Sequence, residues 1–77
     1  MDHPRITSDP EILSGKPCVR GTRLSVEFIL ELIASGASRD EITRAYPQLT
    51  TADVEAAVRF AAQSLRTESV VEFEIIH

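Results

Sequence analysis

Three short amphipathic segments, each with its own start and stop residues, lie between Ser25 and Arg66. In the first segment, Ser25 is a good N-cap, and Gly36 suits the left-handed position after a final helical turn. Its apolar residues recur at the spacing that predicts one buried helical face. They are Phe28, Ile29, Leu32 and Ile33. This pattern constrains the fold most strongly, because amphipathic helices must bury their apolar stripes against one another.

The second and third segments carry equally clear boundaries. Ser38 and Glu41 match a capping box, and Pro47 disfavours helical geometry at Tyr46, so the second helix spans about two turns. The third helix starts at Thr50. Its apolar positions again follow helical spacing. They are Val54, Ala57, Val58, Ala61 and Leu65. We therefore predict three helices within residues 25–66.

Residues 15–24 form a basic stretch in an acidic chain. The chain has eight Lys and Arg and twelve Asp and Glu, which gives a net charge of −4. Three of the positive charges nevertheless lie close together, on Lys16, Arg20 and Arg23. Gly21 favours a bend between two short extended pieces, because glycine readily adopts positive φ. We predict a basic hairpin here, with these three residues as candidate contacts to nucleic acid or a partner protein. An ordinary solvated face is the alternative for such a run.

The two ends of the chain differ in pattern. Residues 1–14 show little periodicity and predict an extended arm, in which Ile6-Thr7 is one candidate for a very short strand against the Val19 or Leu24 piece. After Thr67 the apolar period changes from helical to alternating, which is typical of a half-buried strand. The strand partner stays open: the N-terminal hairpin, the same strand of a second subunit, or another protein. Val71, Phe73 and Ile75 are the candidate residues for binding another protein through this strand or for dimerisation.

The chain is therefore expected to be one domain over residues 1–77. It comprises an arm (1–14), a basic hairpin (15–24), three helices (25–66) and a strand-like tail (67–77). The predicted class is mainly α, with a compact trihelical core that resembles a helix-turn-helix arrangement. A domain this small has a marginal core of its own, so we expect a homodimer or higher oligomer.

A helix-turn-helix would place the start of its third helix in a major groove. The residues there are Thr50, Thr51, Asp53 and Glu55. Two carboxylates would repel phosphates, and no Arg, Asn or Gln lies where bases are usually read. If DNA is bound, the basic hairpin with Arg5, Arg39 or Arg44 is the better candidate.

No pattern in the sequence predicts catalysis, and we expect no enzyme activity, cofactor or metal. His3 and His77 lie at opposite ends, and His77 is either native or part of an expression tag. Cys18, the single cysteine, has no nearby His or second Cys, so a buried neutral thiol in a cytoplasmic protein is expected. No signal peptide is visible, and no apolar run approaches the roughly 20 residues that span a membrane.

The run Gly-x-Pro-x-x-x-Gly-Thr-Arg at residues 15–23 resembles the small bacterial family catalogued as domain of unknown function 433. The resemblance covers about residues 4–66, and it also includes Ile12-Leu13-Ser14 directly before this run. It continues through 32–36, 41–42, 46–50 and 53–57. It implies a homeodomain-like trihelical fold and an antitoxin that binds and silences a PIN-like ribonuclease toxin. Repression of the shared operon through DNA binding is a further role that it implies.

Two functions without a toxin remain alternatives. One is a dimeric helix-turn-helix regulator that contacts DNA through its basic hairpin. The other is an adaptor that associates only with itself through the alternating tail. The first predicts DNA binding that weakens steeply with salt.

Overall fold

The computed structural model describes the backbone of residues 4–76 and the side chains of residues 4–66. Its elements are β1 (Ile6–Thr7), a 3-10 turn (Leu13–Gly15), β2 (Cys18–Val19), α1 (Val26–Ala34), α2 (Arg39–Ala45) and α3 (Thr51–Ile76). Three helices and a short antiparallel strand pair confirm the predicted mainly helical class. In this part of the chain, no helix combines the length and apolar character that crossing a membrane requires.

β2 pairs on both of its sides. Ile6 of β1 lies opposite Val19, and Cys18 forms a single bridge to Ser25 at the start of α1. The amide of Val19 donates to the carbonyl of Leu24 at 3.0 Å, across the bend at Gly21. The predicted hairpin is therefore present, and β1 covers its other edge.

Residues 9–15 turn, so the prediction of an extended arm over residues 1–14 was wrong for this part. The carboxylate of Asp9 accepts a hydrogen bond from the amide of Glu11 at 2.9 Å. Asp9-Pro10 is a dipeptide that favours turns, and the prediction overlooked it because it relied on the lack of periodicity. Leu13 and Ser14 then adopt left-handed backbone, with φ of 52° and 57°. β1 is extended, as predicted.

The helix boundaries follow the predicted caps. The Ser25 hydroxyl accepts the amide of Phe28 at 2.9 Å, and Gly36 has a φ of 104° after α1. At α2, the Glu41 amide donates to the Ser38 hydroxyl at 3.1 Å, and the Ser38 amide donates to the Glu41 carboxylate at 2.8 Å. This bond from the Ser38 backbone holds the pKa of Glu41 below its ordinary value.

One core lies where the three helices meet the strand pair. Its buried members are Ile6, Val19, Val26, Ile29, Ile42, Leu49, Val54, Ala56 and Ala57. Cys18 is also fully buried, as the sequence predicts. Because Ile6 belongs to this core, the N-terminal segment is an integral part of the fold.

α3 continues to Ile76, so the prediction of a strand-like tail at 67–77 was wrong. No Gly or Pro follows Thr51 in the sequence, and a helix that is already formed extends with one further hydrogen bond per residue. The alternation of apolar and polar residues after Thr67 therefore did not end the helix, because no helix-breaking residue accompanies it. The side chains of Val71, Phe73 and Ile75 lie outside the described residues, and so do His3 and His77.

Candidate functional site

The structure separates the three basic residues of the predicted hairpin site. Lys16 Nζ lies 3.2 Å from Glu27 Oε1 on α1, and both side chains are mostly exposed. Arg20 instead contacts the N-terminal segment, where its Nε donates to the carbonyl of Pro4 at 2.7 Å. Arg23 is exposed in the bend and forms no ion pair with any residue between 4 and 66. Lys16 and Arg20 therefore have partners on different parts of the fold, and the role of the three residues as a contact site stays a prediction.

The N-terminal segment connects the hairpin to α3. The backbone amide of Arg20 donates to the carbonyl of Arg5 at 2.8 Å. From the same residue, the Arg5 guanidinium donates to Asp53 Oδ1 at 3.0 Å. The Arg5 side chain is 52% exposed, whereas that of Asp53 is 11% exposed. Arg5 thus presents an accessible cationic group beside the first turn of α3.

Asp53 is occupied by structural contacts within the protein. Its Oδ2 accepts the amide of Thr50 at 2.9 Å, and its own amide donates to the Thr50 hydroxyl at 3.2 Å. Burial raises the pKa of Asp53, but the Thr50 amide and Arg5 outweigh that effect and hold the pKa below its ordinary value. The expectation that Asp53 would repel a phosphate at the start of α3 was therefore misplaced, because this carboxylate is buried and paired.

Glu55, the other carboxylate of this region, shares surface depressions with three arginines. Arg39, the first residue of α2, forms an ion pair with it. Arg59 follows four residues later on the same face of α3. Arg5, Glu55 and Arg59 line one surface depression, and Arg39, Glu55 and Arg59 line a second. Glu55 is therefore common to both depressions.

We name Arg5, Arg20, Arg39 and Arg59 the arginine row. Of these four residues, the sequence predicts Arg20 as a site residue, and it predicts Arg5 and Arg39 as further candidate contacts to DNA. Arg59 was not predicted, although its i, i+4 spacing from Glu55 is a local signal that the two side chains are neighbours on α3. The remaining members are brought together by tertiary contacts.

An apolar groove lies between α1 and α3. Its walls include Val26, Leu30 and Ala34 of α1, and Phe60, Ala61 and Leu65 of α3. Leu65 is 64% exposed and Val58 is 42% exposed, although helical spacing placed both on the predicted buried face. Ala61, which lies between these two residues on the same face, packs against the core, so within residues 4–66 that face is covered only in part.

These features define a small trihelical protein whose N-terminal strand is fastened to its third helix. The family described as Protein of unknown function (DUF433) matches residues 6–61, and the chain belongs to this family. The match spans both strands, α1, α2 and the buried part of α3, and it ends near the groove.

Two further comparisons found similar proteins, of which the solved structure is itself a member of this family. The chain is 38% identical to the Uncharacterized protein y4eO of Sinorhizobium fredii (strain NBRC 101917 / NGR234) over 56 residues. The aligned residues are 73% of this chain. The chain spans only 25% of that relative's length. It also resembles the crystal structure of a DUF433 member protein from Anabaena variabilis ATCC 29413, with a TM-score of 0.75 and 27% identity. That likeness covers 95% of this chain and 69% of the other.

Proposed function

We propose that this chain is the antitoxin of a type II toxin–antitoxin pair and that it binds and neutralises a PIN-like ribonuclease toxin. The proposal starts from the family resemblance carried by residues 15–23. The course of α3 is the structural observation that carries it. After Ala57, no residue of α3 up to Arg66 is buried, yet the helix continues to Ile76.

A helix that extends past its own core is suited to docking on another protein. An amphipathic helix can lie in a groove of its partner, with apolar side chains spaced along one face providing the affinity. Leu65 and Val58 supply exposed apolar area on α3, and the groove beside α1 adds more. This helical mode replaces the addition of a strand to the toxin's sheet, because residues 67–76 are helical.

The test is co-expression with a small nuclease encoded beside the gene for this chain. We expect the nuclease to stop growth when expressed alone, and the full chain to restore growth. Leu65→Glu should weaken binding of the purified nuclease by at least about tenfold, because it places a charge in an apolar contact.

Leu13→Glu is the matched control, since Leu13 is also a partly exposed leucine but lies in the 3-10 turn and is not one of the residues that line the groove. Equal effects of the two substitutions would refute the role of α3 in toxin binding. A nuclease that is not inhibited by the wild-type chain would refute the antitoxin function itself.

A second function, DNA-binding regulation by a dimer, is supported by α2, its short turn and the start of α3. This order of elements is that of a helix-turn-helix unit. Dimers of such units bind two half-sites about one helical turn of DNA apart. Autorepression by an antitoxin would use this second activity together with the first. Light scattering of the purified chain tests the association of two copies.

A further inference from the structure

We propose that the arginine row is the surface through which this protein contacts the phosphate backbone of duplex DNA. The proposal deepens the DNA-binding half of the proposed function and does not depend on the toxin-binding half. It also moves the contact away from the basic triplet of the hairpin, of which only Arg20 is retained.

The charge of this surface is the first argument. Four guanidinium groups lie along the N-terminal segment, the hairpin, the start of α2 and the side of α3. Asp53 and Glu55 are the acidic groups in direct contact with them within residues 4–66, and Asp53 is largely buried. The exposed surface is therefore cationic in a chain whose net charge is −4. Guanidinium groups bind phosphate oxygens in bidentate geometry.

The position of the row is the second argument. In a helix-turn-helix, the second helix of the unit enters the major groove, while the flanking elements contact the backbone. Here α2 and α3 are the two helices of that unit. Arg39 begins α2, Arg59 lies on the side of α3, and Arg5 lies beside the first turn of α3. These are the places from which phosphates on either side of a groove are contacted.

The aromatic residues favour a duplex over a single strand. Proteins that bind single strands stack bases on exposed aromatic rings. Among the described side chains, Phe28 and Tyr46 pack edge to face with ring centroids 5.5 Å apart, and Phe60 lines the apolar groove. Neither depression beside the row contains an aromatic ring. The row therefore offers charge without stacking partners.

Glu55 is the internal competitor of this surface. Its carboxylate pairs with Arg39 in the free protein, and a phosphate would have to take over that guanidinium. Removing the carboxylate should make DNA binding tighter. A purely structural role of the Arg39–Glu55 pair would give no such gain.

The test uses the purified full chain and a fluorescently labelled duplex of about 24 base pairs, long enough for two half-sites. One duplex carries the sequence upstream of the gene, and a second is scrambled. Anisotropy titrations between about 50 and 200 mM NaCl give the affinity and its salt slope. The double variant Arg20→Gln/Arg59→Gln is compared with Lys16→Gln/Arg23→Gln, which removes the same charge from the rest of the triplet.

We expect the row variant to bind the upstream duplex about tenfold more weakly and to lower the salt slope by about two. The control variant should stay within about twofold of the wild type, and Glu55→Gln should bind about threefold more tightly. Circular dichroism establishes that each variant is folded. Arg59→Glu, at an exposed position on α3, provides a second variant if the double substitution unfolds.

Three results would overturn the proposal. They are a wild-type chain that does not bind either duplex at about 50 mM NaCl, an equal loss in the control variant, and an unchanged salt slope in the row variant. A row variant that binds DNA normally but loses an acidic protein partner would also overturn it. Since no toxin is present in these titrations, their outcome is independent of growth rescue.

Discussion

The guanidinium of Arg5 and the carboxylate of Asp53 form an ion pair at 3.0 Å, although 48 residues separate them in sequence. Asp53 also caps α3 through Thr50, so one carboxylate completes the start of a helix and holds the N-terminal segment against it. Nearly all of its side chain is buried. The arginine row depends on this contact, because it fixes where Arg5 emerges.

Replacement of Asp53 by Ala should lower the free energy of unfolding by about 2 kcal/mol, because it removes a helix cap and leaves the Thr50 amide without its acceptor. Asp53→Asn should cost less, since an amide oxygen still accepts that bond. Urea denaturation measures both values. Asp40→Ala, at an exposed position in the first turn of α2, is the control. The role of Asp53 is refuted if Asp53→Ala is no more destabilising than this control.

The stability of the protein should depend on the ionisation of Asp53 in acid. Its pKa in the folded protein lies below the ordinary value of 3.8, so the charged form favours folding. That contribution is complete above the ordinary pKa and is lost as the pH falls through the folded one. The difference in unfolding free energy between wild type and Asp53→Asn should therefore be constant from about pH 7 to pH 5 and shrink below about pH 3.8.

Urea titrations of both proteins across this range provide the measurement. Glu41, whose pKa is also lowered by the Ser38 amide, is present in both proteins, and its contribution cancels in the difference. A difference that stays constant into strong acid would argue against the assigned charge state of Asp53.

Ile42 tests the packing of α2 on the core. It is 1% exposed, and Ile42→Val should lower the free energy of unfolding by about 1 kcal/mol through the loss of one buried methylene. Val58→Ala, at a position 42% exposed, should have a smaller effect. Thermal unfolding compares the two. A larger loss at Val58 would mean that the apolar face of α3 is covered in solution.

Truncation after Arg66 tests the helical continuation of α3. The body should stay folded, because the buried positions of the described part of α3 end at Ala57. Helical circular dichroism at 222 nm should fall by the contribution of residues 67–76. No loss of helical signal would show that this segment is not helical in the free protein. Collapse of the whole fold would show that it supports the core.

Local signals in the sequence were sufficient to predict the helices. Ser25, Ser38 and Thr50 mark their starts through hydrogen bonds that reach only three residues ahead, and Gly36 ends the first through its positive φ. A helix start of this kind can be predicted from sequence, because the capping residue and the amide that it binds are only three residues apart. At the end of α3 no stop residue exists, so the alternating apolar pattern was interpreted as a strand.

The site was less predictable, because it depends on contacts between distant residues. The sequence grouped Lys16 with Arg20 by proximity, whereas in the fold they contact Glu27 and Pro4 respectively. Asp53 looked like an exposed acid, because its partner Arg5 arrives only through the pairing of β1 with β2. Neither spacing nor composition carries that information.

The position of Ile6 has a consequence for folding during synthesis. This residue leaves the ribosome before the three helices do, yet the core that buries it includes Val54 and Ala57 of α3. Contacts between residues so far apart in sequence form late, because the intervening chain must first be ordered. The nascent chain therefore keeps β1 unburied until α3 has emerged, and this part of the fold closes only then.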